Sequence, residues 1–461
     1  MAALIETLRS GAWLTAERIR LVAFGVLAAG LIGAGFLIVT SNGLNDRLGR
    51  PLGTDFSNVY AAGTYVLDGE AAAPFDPARQ YAREKAIFGE HADFYGWHYP
   101  PFFLGLAALL ALMPYALALA VWQGVTLILY LWAMRGILGA CAPSPRVRGE
   151  GRGEGASLNA QASGQSPSPG RFAADLSPQA GRGEERALVR DPLLLLLALA
   201  FPAVFVNLGH GHNGFLTAAL MAAALIQLDK RPLLAGVLFA CLAYKPQFGV
   251  LIPLVLAVSG RWRAFFSAAI TVLALALAVT LVFGVDVWMA FLASTRFTRT
   301  VVLEQGDTGW HKIQSVFSVV RMWGGGVPLA YALQGAVTLI VAAALALLWR
   351  SRAPFPLKAA ALAIGTILAT PYSLDYDLML LAPAIAFLAA DGLARGFGPY
   401  EKSTLALLWI VPLVTRAVAQ TTLIPLAVPA MLLCFIIVLH RAMRGTDTAL
   451  NLWPFAARSL K

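Results

Sequence analysis

Charge is scarce in this sequence. Only 13% of its 461 residues are Asp, Glu, Lys or Arg, about half the roughly 25% of a soluble domain. Hydrophobic residues reach 58% and the mean hydropathy is +0.69. Too little polar surface remains to coat a water-soluble globule of this size, which excludes a soluble enzyme of two or three domains. Cysteine is scarce too. Cys141, Cys241 and Cys434 are scattered, so they support neither a disulfide framework nor a metal site; the last two lie in apolar runs, where packing is their role. No paired-acid motif suits a divalent cation, and no basic run interleaved with aromatics suits a nucleic acid.

What is present is a succession of apolar runs, which predicts an all-α polytopic integral membrane protein with ten to thirteen spanning helices. A span needs about 20 mostly apolar residues. The first, 21–40, follows Arg9, Arg18 and Arg20 and is not followed by a small-residue cleavage site. It reads as an uncleaved anchor with a cytoplasmic N-terminus. The polar segment 41–98, with Asp55, Asp68, Asp76, Glu84 and Asp93, is then the first extracytoplasmic loop of an N-terminal membrane module, 1–141. Residues 142–190 change character: they are rich in Gly, Ser, Pro, Arg and Glu, and Ser144-Pro145-Arg146-Val147-Arg148-Gly149-Glu150 is echoed by Ser177-Pro178-Gln179-Ala180-Gly181-Arg182-Gly183-Glu184. Such composition cannot bury enough to offset its ordering entropy and predicts a disordered insertion. The remaining membrane helices occupy 191–443, and 444–461 is a C-terminal tail.

The net charge of +10, from 35 basic and 25 acidic residues, reports topology. Basic turns (Asp229-Lys230-Arg231, Arg261-Trp262-Arg263, Arg350-Ser351-Arg352, Arg395, His440-Arg441) alternate along the chain with polar turns at 209–213, 244–247 and 370–377. The positive-inside rule makes the basic turns cytoplasmic and puts the polar turns on the outer side with Asp55. A simple helical hairpin over 100–134 would invert that parity. The repeated basic turns outweigh it, so that stretch is expected to hold a half-crossing or one long kinked helix.

The polar turns hold the candidate chemistry, and each has a plain structural alternative. Asp55 can act as a general base toward a hydroxyl or cap the helix that Asp-Phe-Ser-Asn-Val-Tyr begins. His98, in Trp97-His98-Tyr99-Pro100-Pro101, can bind substrate or belong to an interfacial aromatic belt. His210, His212 and Asn213 form a weak metal pattern and a better polar substrate contact. Lys245 interrupts an apolar stretch, where it can hold a phosphate or snorkel to the interface. Arg296, Arg299, His311 and Lys312 can neutralise a phosphate leaving group or be solvated loop charges. Asp375 and Asp377 open an apolar segment and can face a cavity or cap a helix.

Taken in order, Asp55-Phe56, Tyr99-Pro100-Pro101, the Gly209–Asn213 turn, Lys245-Pro246-Gln247, Gln314-Ser315-Val316-Phe317 and Thr370-Pro371-Tyr372-Ser373 resemble glycosyltransferase family 87, which includes polyprenol-phosphate-mannose-dependent mannosyltransferases. The resemblance implies a GT-C-type helical bundle with a large first extracytoplasmic loop and an active site at the outer leaflet of the plasma (inner) membrane. It implies transfer from a polyprenyl-phosphate sugar to a hydroxyl of a lipid or glycan acceptor, with inversion and with Asp55 as base. Lys245, helped by Arg296 or Lys312, would face the phosphate. His98, Tyr99, His212, Asn213, Gln247, His311, Tyr372, Asp375 and Asp377 would complete the substrate site, without metal or other cofactor. Two positions depart from the family. His212 stands where members often have Gln, and the His that mannosyltransferase-like members carry near Tyr376 and Asp377 is missing, so mannose is not specified as the donor sugar. The rival reading from another class is a transporter or lipid flippase, which would favour pseudo-symmetric halves and polar residues at mid-membrane.

Overall fold

The computed structural model describes residues 2–141 and 192–444. The expected disordered insertion at 142–190, and all of the tail except Arg444, lie outside them. The described residues form helices joined by turns, with no β-strand among them and only isolated bridges such as Ile313 to Leu374. The protein is an all-α polytopic membrane protein.

Among the described residues seven helices are long and apolar enough to cross a bilayer: Ala16–Val39, Tyr115–Gly139, Trp262–Phe283, Val327–Arg350, Asp375–Arg395, Glu401–Thr422 and Ala427–Arg444. An eighth crossing results if Pro192–Leu199 and Pro202–His210, bent by 44° to each other, count as one. The expectation of ten to thirteen spans counted further apolar runs that fold into helices of 10–17 residues. Proline is the cause. Pro202, Pro232 and Pro246 each open a short helix, because a proline lacks the N–H that would continue the preceding one. The same holds at 100–134. Pro101–Ala111 has 11 residues or about 16 Å of rise, too short for a 30 Å core, and Met113-Pro114 separates it from the long helix Tyr115–Cys141.

Ala16–Val39 and Trp262–Phe283 are almost bare, with 6% of their apolar stretches buried; the exposed Leu21, Ile32, Leu273 and Leu281 suit contact with lipid tails. The centre of the bundle is Phe355–Leu368, in which every residue from Ala359 to Leu368 is buried. Its Ala359-Ala360-Ala361 run and Gly365 are small, and a Cβ on Gly365 would lie 2.9 Å from Leu345. Small residues let membrane helices approach closely, where dispersion replaces the hydrophobic driving force that lipid removes. The polar segment after the first span folds into Thr54–Leu67 and Pro77–Phe88. An aromatic cluster of Phe56, Trp97, Tyr99, Phe103, Tyr115, Trp122 and Tyr244 fastens it to the bundle.

Candidate active site

Side chains from seven separate segments converge on a cavity of about 360 Å³, within the range of small-molecule sites. Helix Thr54–Leu67 contributes Thr54, Asp55 and Asn58; the following turns contribute Tyr95, His98 and Tyr99, then His210 and His212, then Lys245 and Gln247. Asp307 and Lys312, then Tyr372, Asp375, Tyr376 and Asp377, and finally Arg416 complete the wall.

Two glycines allow the first and third of these segments to meet. Gly53 (φ 68°) and Gly211 (φ 63°) are both left-handed, and a Cβ on Gly211 would lie 2.6 Å from Phe56 Cβ and 3.2 Å from Gly53 Cα. Their contact brings the start of the Asp55 helix against the histidine turn. Asn207 then ties that turn to the 370–377 segment: its amide donates to Tyr376 O at 3.0 Å and accepts from Gly214 N–H at 2.9 Å. His212 stacks on the Tyr376 ring with centroids 3.5 Å apart, and its Nε2 is 3.1 Å from the Tyr99 hydroxyl.

Asp55 is the second residue of its helix, and its side chain caps nothing there. The His210 ring lies beside it, with Nδ1 4.0 Å from Oδ1; the same nitrogen is 2.7 Å from Thr54 Oγ1. Burial pushes the Asp55 carboxyl above the ordinary carboxylate range, opposed by His210 and reinforced by Asp375. Burial also drives His98 down to about 4 and holds His212 well below its usual value, so both rings are neutral near pH 7. Elsewhere the charges pair. Lys245 Nζ donates to Asp377 Oδ1 at 2.5 Å, and Asp377 Oδ2 accepts the Leu374 N–H. Arg416 reaches Asp375 Oδ2 at 3.2 Å. Lys312 makes no ion pair among the described residues; burial first, then Arg416, hold its ammonium below the usual range. Like charge from Arg416 disfavours the Lys312 ammonium, and an anion beside Lys312 would offset it. No group of three His, Cys, Asp or Glu among the described residues is placed to hold a metal ion.

Of the residues singled out in the sequence, Asp55, His98, Tyr99, His212, Lys245, Gln247, Lys312, Tyr372, Asp375 and Asp377 line the cavity. Asn213, Arg296 and His311 do not. Asn213 is buried with neither amide atom hydrogen-bonded among the described residues, Arg296 is exposed on Asp286–Phe297, and His311 is half-buried beside Lys312. Lys245 is already neutralised by Asp377, which weakens its claim on a phosphate. Arg416 was missed. Its signal was a lone ionisable residue inside an apolar run, by itself a mark of a cavity-facing position.

The profile of glycosyltransferase family 87 matches residues 97–371, more than half of the chain. The chain belongs to glycosyltransferase family 87. No curated protein and no solved structure is significantly similar to it. Family 87 membership and the spanning helices make it a membrane glycosyltransferase, which acts on a sugar donor and an acceptor. The match takes in the turns at His98, His212, Lys245 and Lys312; Asp55 precedes it, and Asp375, Asp377 and Arg416 follow it. The cavity thus joins residues from inside and outside the family 87 match.

Proposed function

We propose that the protein transfers a sugar from a polyprenyl-phosphate donor to a hydroxyl acceptor, with inversion, in a GT-C-type active site on the extracytoplasmic face of the plasma (inner) membrane. The division of the cavity carries this reading. One segment presents Asp55, a carboxylate without a hydrogen bond among the described residues, and two others present Lys312, which has no ion pair among them, and Arg416, whose single bond to Asp375 leaves most of its five donors free for a phosphate. Asp55 takes the proton of the acceptor hydroxyl as its oxygen bonds to the anomeric carbon. The bond from that carbon to the phosphate oxygen breaks, and the departing lipid phosphate gains its stabilisation from Lys312 and Arg416. Arg suits this task because its fork matches two phosphate oxygens. Neutral His98 and His212, with Tyr99 and Tyr372, offer hydrogen-bonding and stacking surface to the sugars. Lys245 and Asp377 brace the wall instead of meeting the phosphate.

A lipid-linked donor keeps its phosphate at the interface, so the basic turns at the ends of the long helices support an outward-facing cavity. The test is sugar transfer by the purified protein in lipid from a panel of polyprenyl-phosphate sugars, with Asp55→Asn alongside. Transfer that vanishes in the variant supports the reading; transfer from nucleotide sugars alone, or unchanged transfer by the variant, ends it.

A further inference from the structure

Helix Pro77–Phe88 contributes nothing to the cavity wall, yet it carries a wholly buried acid. Glu84 is 0% exposed and makes no ion pair among the described residues. Its carboxylate accepts three hydrogen bonds, all from neutral donors. Tyr95 N–H reaches Oε2 at 3.0 Å, Gly96 N–H reaches Oε1 at 3.2 Å, and Gln80 Nε2 reaches Oε1 at 3.1 Å. Gln80, also 0% exposed, donates in addition to the carbonyl of Asn58 at 3.1 Å.

Asn58, Tyr95 and Gly96 all line the cavity. Two neighbouring residues of one helix therefore grip both the Asp55 helix and the turn that leads to His98. That turn is tight. Gly96 is left-handed and stands two residues before His98, and a Cβ there would lie 2.7 Å from the Phe94 ring and 3.1 Å from His98 Nε2. His98 Nδ1 is in turn 2.9 Å from Thr298 Oγ1, at the start of the segment that bears Asp307 and Lys312. Burying an acid without a counter-charge is costly; burial pushes Glu84 up to about 7. A nonpolar residue would fill the same space at less cost, but it would leave the two amides without an acceptor.

We propose that Glu84 is a positioning residue for the transfer reaction: by holding two consecutive amides it keeps the Tyr95–His98 wall at the distance from the Asp55 helix that substrate binding requires. The proposal rests on the cavity being the substrate site.

The test uses the full chain in lipid, with steady-state transfer kinetics and amide exchange on Glu84→Ala and Glu84→Gln. Glu84→Ala is expected to raise the KM of at least one substrate about tenfold, the scale of one unpaired buried amide, with kcat within about twofold. The Tyr95 and Gly96 amides should exchange faster. Glu84→Gln should fall between the two, since its remaining oxygen serves one amide while its NH2 faces the other. If Glu84→Ala does not fold, the raised KM of Glu84→Gln carries the test. An unchanged KM in every variant that folds, or a lost kcat at constant KM, overturns the proposal. Asp55→Asn separates the levels: if it transfers sugar normally, the cavity is misassigned; if it is inactive while Glu84→Ala binds normally, Glu84 alone is misread.

Discussion

Lys245 and Asp377, 132 positions apart in the chain, meet through a 2.5 Å hydrogen bond with both side chains almost fully buried. Asp377 is held from the other side by the Leu374 amide. The ammonium thus serves as a brace between two turns. Lys245→Ala should cost about 3–5 kcal/mol, because it leaves a buried carboxylate unpaired. Pairing Lys245→Met with Asp377→Asn, which removes both charges and keeps an acceptor for the Leu374 amide, should restore most of that loss in thermal unfolding in detergent. A Lys245→Ala protein of unchanged stability that has lost its donor affinity would return the phosphate role to Lys245.

Asp55 gives a pH signature. Its folded-state value lies above the ordinary 3.8, so the basic form is lost as pH falls through that raised value, and kcat/KM should show an acid limb there. Asp55→Asn should remove the limb along with a factor of about 10²–10⁴ in rate. Stability runs the other way. An acid whose folded value is raised loses stability as pH rises from the unfolded value through the folded one. Asp55→Asn should therefore melt higher than the wild type at pH 7, and a lower melting temperature would show that the carboxylate is a structural bond.

Lys312→Ala and Arg416→Ala should each raise the donor KM about tenfold or more, the scale of one charge-assisted hydrogen bond, lower kcat as well because the phosphate gains charge as its bond breaks, and leave the acceptor KM nearly unchanged. Arg416→Lys should recover only part of the loss, since it keeps the charge without the fork. Equal effects on both substrates would place these cations away from the leaving group.

Gly211→Ala should disturb the site from its backbone. The left-handed conformation costs an ordinary residue about 1–2 kcal/mol, and the added methyl would lie 2.6 Å from Phe56 Cβ. Both the melting temperature and the activity should fall. Gly209→Ala is the control two residues away, where a Cβ meets nothing within 4 Å; an equal loss there would refute the contact argument.

By itself the sequence determined the class of the molecule. Scarce charge and long apolar runs require a membrane protein, and the polar turns at His98, His212, Lys245 and Tyr372 to Asp377 stood out because a polar residue in an apolar run needs a reason. The structure brings those turns to one cavity. Composition did not show where each helix ends: prolines cut several apolar runs to 10–17 residues, and hydropathy reads the same on both sides of a break. Partners were equally invisible. Only tertiary structure decided that Lys245 is spent on Asp377, that Arg416 from a late helix enters the cavity, and that Glu84 holds its wall from behind. Each depends on contacts between residues far apart in sequence, and local pattern contains no distance.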